Sequence, residues 1–340
     1  MTLPRHKLGR SGLEISGVGL GAWAIGGGDW EFGWGPQDDS DSVAAIRHAA
    51  ELGVNWIDTA PTYGLGHSEE VVGRALKEIT PDERPLVFTK CGHIWEGEAR
   101  QAELRRILRP ETLRQEVESS LRRLGIERID LCQIHHPPEK GSAPLEESWA
   151  EMAKLVAEGK VRAIGVSNFD VGLLERCQAI RRVDSLQVPF SLIRRGSADL
   201  ISWCASREIG IMIYGPMQAG LLTDRFSAER VKTLAEGDWR RRNRYFLPPR
   251  LEQNLALRDA LRPVAQRHGV SVAAVAVAWT LVWPGITGAI VGARSPEQID
   301  GWIAAASLRL NQTDLDEIAQ ALERTGAGDG PTRLPLPSAL

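Results

Sequence analysis

The sequence predicts a (β/α)8 barrel, or TIM barrel, within the α/β fold class. Eight short apolar segments alternate with amphipathic helical stretches along almost the whole chain, as is typical of a parallel sheet. The early glycine cluster at residues 19–28 does not match the GxGxxG pattern of an open dinucleotide-binding sheet. Because no linker or change in composition divides the eight units, they favour one closed barrel over residues 1–340.

The predicted elements begin with an N-terminal β-hairpin at residues 6–16. Strands that are apolar on both faces suit a barrel, since helices cover the outside and packed side chains fill the inside. The eight strands predicted in this way are, in order, GVGLGAWAI, NWIDTA, LVFTKCG, DLCQIHH, RAIGVSN, SLQVPFS, IMIYGP and AIVGA.

The helix predicted at residues 110–125 is typical of the segments that connect the strands. Pro110 suits its first turn and Gly125 its end. An apolar face is predicted at helical spacing by Leu113, Val117, Leu121 and Leu124.

Two long loops and a tail account for the remaining length. Residues 92–109 follow the third strand and residues 217–250 follow the seventh. In a barrel of this kind both loops lie on the face that carries active sites. Residues 324–340 are rich in glycine and proline, and we expect them to be poorly ordered.

The composition argues against several classes of partner. The net charge of −3 leaves no basic excess, so we expect neither a nucleic-acid nor a membrane partner. The N-terminal residues lack the apolar core of a signal peptide, and no apolar run reaches transmembrane length. Four cysteines are scattered without metal-type spacing. A cytoplasmic protein acting on a small molecule is the resulting expectation.

Four polar residues stand at or just past the ends of predicted strands: Asp58, Tyr63, Lys90 and His135. The carboxyl ends of barrel strands meet on one face, so we expect these four side chains to converge. Taken singly, each has an ordinary structural explanation, such as capping a turn or packing. Together they are a proton-delivery set.

The chemistry of this set depends on a charged partner for the phenol. We expect Lys90 to lower the pKa of Tyr63, and Asp58 to hold the buried ammonium in place. His135 would orient a substrate oxygen. Such a site protonates an oxygen while its carbon is attacked, and hydride delivery from a bound cofactor is the natural complement. His135 and His136 could ligate a metal, but no carboxylate-rich segment accompanies them, so no metal is predicted.

An anion site is predicted independently after the last strand. Ser295 reads as a helix N-cap, Pro296 as the first helical residue and Gln298 as the capping-box partner. Free N–H groups at this helix start, beside Arg294, would bind a phosphate. The alternative is a well-made cap with a solvated arginine.

Several ordered motifs resemble those of the aldo-keto reductase family over about residues 4–323. They are NWIDTAPTYGLGHSEEVVGRAL, DLCQIHHP, VRAIGVSNF and YGPMQAGLLT, and WAIGGG and GARSPEQI are closest to the bacterial branch that reduces aldehydes, ketones and sugar-derived carbonyls. The resemblance implies a barrel enzyme that reduces a carbonyl compound with NAD(P)H. It also implies that Tyr63 is the proton donor, tuned by Asp58 and Lys90, with His135 as the orienting residue.

The resemblance also implies a set of nicotinamide-dinucleotide contacts. Ser167, Asn168 and Gln187 match residues that bind the carboxamide, and Tyr214 matches the aromatic on which the ring stacks. The pyrophosphate loop and the adenosine-phosphate end complete the set with Gly215, Pro216, Met217, Gln218, Gly220, Leu221, Gly292, Arg294, Ser295 and Gln298.

The sequence departs from the family pattern at three positions. Gly292 and Gln298 stand where many NADPH-specific relatives carry cations, although Arg294 can compensate. We expect NADPH to be preferred, with NADH as the alternative. His136 stands where a tryptophan often follows the catalytic histidine. The substrate pocket is predicted from Trp23, Trp30, Trp34, Trp95 and His136.

Two rival interpretations remain at the level of sequence. Potassium-channel β subunits resemble the same family and serve mainly as cofactor-binding partners with little turnover. A non-redox hydrolase or lyase would instead use Lys90 as a Schiff base. The physiological substrate, the direction of the reaction and the choice between monomer and homo-oligomer are left open.

Overall fold

Eight parallel strands close into a barrel in the computed structural model of the protein, which describes residues 3–28, 30–95, 103–139, 142–236 and 238–335. β10 closes the ring on β3, with Val291 opposite Leu20. This confirms the predicted (β/α)8 barrel. The strands are β1 (Arg5–Lys7), β2 (Glu14–Ser16), β3 (Val18–Gly21), β4 (Trp56–Asp58), β5 (Leu86–Cys91), β6 (Ile129–Ile134), β7 (Val161–Ser167), β8 (Ser185–Pro189), β9 (Gly210–Tyr214) and β10 (Ile286–Gly292).

The described helices surround this ring. α10 is buried along nearly its whole length, whereas α3 is amphipathic and ends at Gly125, whose φ of 66° only glycine adopts readily. The helices are α1 (Asp39–Glu51), α2 (His67–Glu78), α3 (Pro110–Leu124), α4 (Leu145–Ala157), α5 (Val171–Gln178), α6 (Ala198–Ala205), α7 (Ala228–Lys232), α8 (Arg250–Ala260), α9 (Arg262–His268), α10 (Val272–Leu281), α11 (Pro296–Asp300) and α12 (Gln312–Thr325). Among them, none has the length and apolar character needed to cross a membrane.

The N-terminal hairpin closes the amino end of the barrel. β1 and β2 pair antiparallel, with Arg5 opposite Ser16. Leu8 and Leu13 from the hairpin pack with Trp56 of β4 in the barrel interior, and all three are almost fully buried. This plug leaves the carboxyl end of the barrel as the face available for ligands.

The first barrel strand is shorter than predicted. β3 ends at Gly21, and the chain then turns into a short 3-10 helix at Ala24–Gly26 instead of extending to residue 25. The Ile25 N–H donates to the Ala22 carbonyl, which makes this turn. Gly19 has no room for a side chain, since a Cβ there would lie 2.2 Å from the Trp56 ring.

The two long loops lie at the carboxyl end, as predicted. In the loop after β5, Ile94 and Arg105 pair as an antiparallel bridge. The described part of the loop after β9 contains α7 and three 3-10 turns, Gln218–Gly220, Trp239–Arg242 and Arg244–Phe246. Both loops therefore border the mouth of the barrel.

The predicted tail, residues 324–340, makes contacts in its described part. Residues 324 and 325 are the last two of α12, and Ala327 is buried. The N–H of Asp329 donates to the Ile193 carbonyl, and Arg195 donates to the Gly330 carbonyl. Residues 336–340 lie outside the described residues, so poor order of the tail stays a prediction.

Candidate active site

The structure brings the four predicted polar residues together at the carboxyl end of the barrel. Asp58 is the last residue of β4, and Lys90 is next to last in β5. His135 follows β6 directly, and its N–H donates to the Cys91 carbonyl of the neighbouring strand. Tyr63 comes from the loop after β4. Adjacent strands of one closed sheet thus place all four around one point.

Lys90 is the centre of the cluster. Its Nζ lies 2.6 Å from Asp58 Oδ2, 2.9 Å from the Thr59 carbonyl oxygen and 3.3 Å from Tyr63 Oη. The three acceptors use all three ammonium protons. Asp58 is held on its other side by Gln187, whose Nε2 donates to Oδ1 at 2.8 Å. Hydrogen bonds to Asp58, Thr59 and Tyr63 therefore fix the position of the Lys90 ammonium.

Lys90 is charged in this cluster, and the phenol of Tyr63 is neutral. Burial acts to lower the pKa of Lys90, but Asp58 and Tyr63 outweigh it and raise that pKa, so Lys90 stays an ammonium. Burial raises the pKa of Tyr63 to about 12, and Asp58 adds to this effect, while Lys90 offsets only part of it. Lys90 thus lowers the pKa of Tyr63 in the predicted direction, but the net shift is upward, because burial removes water from around the ring.

His135 is a neutral imidazole in this environment. Burial, and then the positive charge of Lys90, hold the pKa of His135 well below its usual range. The ring meets Tyr63 edge-on at 6.0 Å between centroids. A neutral imidazole has one N–H to donate, which suits the orienting role.

A second group of polar residues lies beside the cluster, at the ends of β7, β8 and β9. Asn168 Nδ2 donates to the His135 carbonyl at 3.1 Å and to Ser167 Oγ at 3.0 Å. Tyr214 Oη donates to Asn168 Oδ1 at 2.9 Å. Asn168 has φ +63°, a left-handed conformation that costs energy and is often found at functional sites. The structure thus joins Ser167, Asn168 and Tyr214 into one network. Gln187 joins it through its backbone carbonyl, which accepts from Ser167 Oγ and the Asn168 N–H, while its side chain donates to Asp58.

The loop after β9 contains a run of left-handed backbone. Gln218 has φ +47°, Ala219 has +52° and Gly220 has +98°. Gln218 Oε1 accepts the Ser191 hydroxyl at 3.2 Å, which anchors the loop to β8's end. Turns of this kind can present successive N–H groups to an anion. The amide and hydroxyl donors at β7–β9, followed by this loop, fit a ligand with a carboxamide at one end and phosphates beyond it.

The predicted capping of α11 is wrong in detail. Ser295 occupies the N-cap position, but its side chain makes no capping hydrogen bond. The Gln298 side chain accepts from the Arg294 N–H at 3.0 Å, one residue earlier than a capping box requires. Ser295 therefore leaves the first N–H groups of α11 without a side-chain cap.

Arg294 is not a solvated arginine. Its Nε donates to Gln37 Oε1 at 2.5 Å, and its other nitrogens donate to the Trp34 and Pro36 carbonyls. Gln37 Nε2 returns a bond to the Arg294 carbonyl at 2.9 Å. These contacts tie the loop after β3 to the loop after β10 across the rim of the barrel.

Aromatic residues form one wall of the mouth. Trp23 and Trp30 both lie 6.4 Å from the Tyr63 ring, and Trp34 packs edge-on against Trp23 at 5.2 Å. Trp95 is half-buried in the loop after β5 and is not among the described rings that pack on Tyr63. The structure thus brings three of the four predicted tryptophans together.

Trp239 belongs to this wall and was missed by the sequence prediction. Its ring stacks on Trp23 at 5.4 Å and meets Trp34 edge-on at 5.6 Å. The aromatic clasp, which we define as Trp23, Trp34 and Trp239, joins the loop after β3 to the loop after β9. In the sequence, Trp239 stands beside a run of arginines, and such a run indicates a solvated loop more than an aromatic contact.

His93 was also missed, and it extends the polar side of the mouth. The His93 ring lies 4.9 Å from His135 and 5.1 Å from His136, and His136 stacks on His135 at 4.8 Å. Glu116 Oε2 of α3 accepts the N–H groups of Gly92 and His93, at 2.9 and 3.1 Å. The mouth therefore has an aromatic wall on one side and an imidazole wall on the other.

Comparison with known proteins agrees with this geometry. The model of the aldo/keto reductase family matches residues 18–323. The aldo-keto reductase YhdN of Bacillus subtilis is 36% identical over 319 residues, which cover 93% of this chain and 92% of that protein. The NADH-specific methylglyoxal reductase of Escherichia coli is 34% identical over 336 residues, covering 95% of this chain and 100% of that protein. Among solved structures, a glycerol dehydrogenase of Gluconobacter oxydans is similar with a TM-score of 0.85 and 36% identity, covering 98% of this chain and 99% of that one.

Proposed function

The chain belongs to the aldo/keto reductase family, and we propose that it reduces a small aldehyde or ketone to an alcohol with NAD(P)H. One observation carries this proposal: a buried ammonium, Lys90, bonds at once to a carboxylate and to a phenol at the mouth of the barrel. Members of this family are oxidoreductases that act on carbonyl compounds. The finer assignments below are the proposal.

The cofactor end of the site would be formed by the network beside β7–β9. Ser167 and Asn168 would hold the carboxamide, and Tyr214 would stack on the ring. Gln187 would contact the carboxamide through its side-chain oxygen Oε1, since its side-chain nitrogen Nε2 is bonded to Asp58. The bound nicotinamide supplies a hydride to the carbonyl carbon.

The protein would supply the matching proton. As negative charge develops on the carbonyl oxygen, Tyr63 Oη donates its proton to that oxygen. Lys90 stabilises the phenolate that is left, and Asp58 keeps Lys90 charged and aligned. His135 donates a hydrogen bond to the same substrate oxygen and sets its direction. Solvent then returns a proton to Tyr63.

The charge state of Lys90 argues against the Schiff-base alternative. An amine must lose its proton before it can attack a carbonyl carbon. Asp58 at 2.6 Å keeps the pKa of Lys90 raised in spite of burial. Lys90 is therefore suited to stabilise charge and unsuited to act as a nucleophile.

The substrate is proposed to be short and polar. The pocket has imidazoles on one wall and tryptophans on the other, so a compound with one apolar edge and several oxygens fits both. The names of two similar proteins denote activity on methylglyoxal and on glycerol, which are three-carbon oxygenated compounds. A dicarbonyl or a hydroxylated carbonyl of that size is the proposed substrate class.

NADPH is the proposed cofactor, with NADH as the alternative. Burial lowers the pKa of Arg294, and the charges of Arg240 and Arg230 lower it further. A 2′-phosphate beside these guanidinium groups would relieve their repulsion. The contacts of Arg294 with Gln37 oppose this arrangement, because they must open or be shared.

Cofactor preference has a direct test. Dissociation constants for NADPH and NADH are measured by quenching of tryptophan fluorescence, in the wild type and in Arg294→Ala. We expect tighter binding of NADPH, and a loss in the variant that is confined to NADPH. Tighter binding of NADH by the wild type would overturn the assignment.

The activity itself is tested by following oxidation of NADPH and NADH at 340 nm with purified protein. The panel comprises methylglyoxal, glyceraldehyde, dihydroxyacetone and benzaldehyde. We expect steady turnover, fastest with the three-carbon compounds. Tight cofactor binding without turnover would instead support the alternative function, a cofactor-binding regulatory subunit similar to potassium-channel β subunits.

A cytoplasmic location and a small-molecule partner complete the proposal. The four cysteines are free and buried, which suits a reducing compartment. Separation of the protein from membranes by centrifugation after cell lysis, together with its elution volume in gel filtration, would test the location and choose between monomer and homo-oligomer.

A further inference from the structure

Three imidazoles from two loops converge beside the proposed proton donor. His93 lies in the loop after β5, and His135 and His136 follow β6. One ring nitrogen from each residue lies within 4.8 Å of the corresponding nitrogens of the other two. Among the described residues, this is the group of three histidine, cysteine or carboxylate side chains that lie close enough together to hold a metal ion.

One ring nitrogen of each histidine in this cluster lacks a partner. His93 is 6% exposed, and the Nδ1 atoms of His93, His135 and His136 are all buried without a hydrogen bond. Buried polar atoms nearly always have a partner, so three unmatched nitrogens in one place require an explanation. Packing alone does not supply one, since an apolar residue would fill the same space at lower cost.

Hydrogen bonds fix the backbone at His93 and His135. The Gly92 and His93 N–H groups donate to the Glu116 carboxyl of α3, and Ile94 pairs with Arg105. The His135 N–H donates to the Cys91 carbonyl, which continues the β5–β6 ladder. Ligands fixed by a rigid scaffold lose little entropy on binding a metal.

The geometry suits a borderline cation with nitrogen ligands. Zinc bonds imidazole nitrogen at about 2.0–2.1 Å, so three nitrogens around one ion lie about 3.3 Å apart in a tetrahedron. The rings must rotate to reach that value, since the nitrogens lie within 4.8 Å of one another and the His135 and His136 rings stack at an interplanar angle of 22°. Three histidines leave the fourth position open to water.

We propose that His93, His135 and His136 form a binding site for a divalent cation of the zinc type, and that occupation of this site inhibits carbonyl reduction. The inhibitory half rests on the proposed function, because it follows from the role of His135. A metal on the His135 nitrogen that faces the substrate moves the ring proton to the other nitrogen, so this imidazole no longer donates a hydrogen bond to the substrate oxygen. The metal would also fill the space that the carbonyl group needs.

Two positive charges oppose this site and limit its affinity. Lys90 and Arg106 both act electrostatically on His135. Lys90 is neutralised by Asp58 at 2.6 Å, and the exposed Arg106 can turn toward solvent. We therefore expect binding in the micromolar range instead of the tighter binding of a structural zinc site.

Cobalt(II) titration tests the binding half without cofactor or substrate. Cobalt bound by three imidazoles gives visible absorption bands, and we expect them to saturate at one ion per chain and to disappear when zinc is added. His93→Gln and His136→Gln should each weaken binding at least tenfold. The matched control is His48→Gln, since His48 pairs with Asp300 away from the barrel mouth and should leave the titration unchanged.

The inhibitory half is tested with zinc chloride in the NADPH assay. We expect inhibition that a chelator reverses and that His93→Gln weakens by the same factor as cobalt binding. Unchanged cobalt bands in both folded variants would overturn the site. Cobalt binding with no inhibition by zinc would overturn only the second half, and absent turnover with intact cobalt binding would count against the proposed function alone.

Discussion

Lys90 Nζ lies 2.6 Å from Asp58 Oδ2, and the two side chains are 0% and 3% exposed. A buried ion pair adds little net stability compared with a well-packed apolar pair, but removing one partner leaves an uncompensated buried charge. The pair is therefore better explained by the chemistry that it supports. It holds one positive charge 3.3 Å from the Tyr63 hydroxyl.

A double-mutant comparison separates the two contributions of this pair. Lys90→Met should lower the free energy of unfolding by about 3–5 kcal/mol, because Asp58 stays buried without its cation. Adding Asp58→Asn should recover much of that loss without recovering activity. Urea unfolding and the 340 nm assay measure the two effects. Activity that returns together with stability would show a purely structural pair.

The proton donor is tested with Tyr63→Phe. Loss of the hydroxyl should lower kcat by about 10²–10⁴-fold, the usual contribution of a general acid, and leave the dissociation constant for the cofactor within a few-fold. Tyr245→Phe is the matched control, since that buried hydroxyl accepts from Arg244 in the loop after β9, outside the cluster. A variant with normal turnover would exclude Tyr63 as the donor.

The pH profile of reduction should be flat between about pH 6 and 9. In the proposed mechanism, reduction needs the protonated phenol, which is present below its pKa, and burial raises the pKa of Tyr63 to about 12. It also needs neutral His135, whose pKa is held well below its usual range by burial. The measurement is kcat against pH at saturating substrate. A fall in kcat with a midpoint near pH 6.5 would show that the charge of His135 controls the rate.

Much of this site could be predicted because its residues are tied to strands. Asp58, Lys90 and His135 end apolar runs. Because strand ends converge in a barrel, this position alone predicts that the three side chains meet. The direction of the Lys90 effect on Tyr63 was also predictable. The net pKa of Tyr63 was not, because burial depends on how several loops cover the ring.

Contacts between loops were beyond sequence reasoning. Arg294 and Gln37 are 257 positions apart, and no local pattern links them. Trp239 packs on Trp23 through a loop whose arginines looked solvated. His93 lies in the long loop after β5, where no strand end predicts its position. Its place beside His135 and His136 was therefore not predicted. Strand ends converge by a rule of the fold, whereas loop contacts depend on details that one sequence does not encode locally.

The aromatic clasp should control the mobility of the loop after β9. Trp239→Ala removes ring contacts with Trp23 and Trp34, each worth about 0.5–1.5 kcal/mol beyond buried area. We expect hydrogen exchange over residues 217–246 to quicken by roughly five- to a hundredfold, with weaker cofactor binding. Trp203→Ala is the control, because Trp203 lies on α6 and stacks with Arg207. Equal exchange in the two variants would exclude the clasp as the element that holds the loop.

Glu116 should make the stability of the protein fall as pH rises. Burial raises the pKa of Glu116 from its usual 4.5 to about 8, although the Gly92 and His93 N–H groups favour its charged form. Between those two values the folded protein binds more protons than the unfolded chain, so the free energy of unfolding decreases with increasing pH. At about 1.4 kcal/mol per pH unit, the whole window is worth on the order of 3–5 kcal/mol.

Glu116→Gln removes this titration and keeps an oxygen for the two N–H groups. The NH2 group of the new glutamine has no acceptor. The same holds for the O–H of the protonated wild-type carboxyl, because no group bonds to Oε1. The stability difference between variant and wild type should therefore be small at pH 5 and rise to a plateau above pH 8, in urea unfolding at several pH values. Glu118→Gln on the same helix is the control, since Lys160 holds the pKa of Glu118 below its usual value and no gain with pH is expected. A difference that does not change with pH would mean that Glu116 is already ionised at pH 5 in the folded protein.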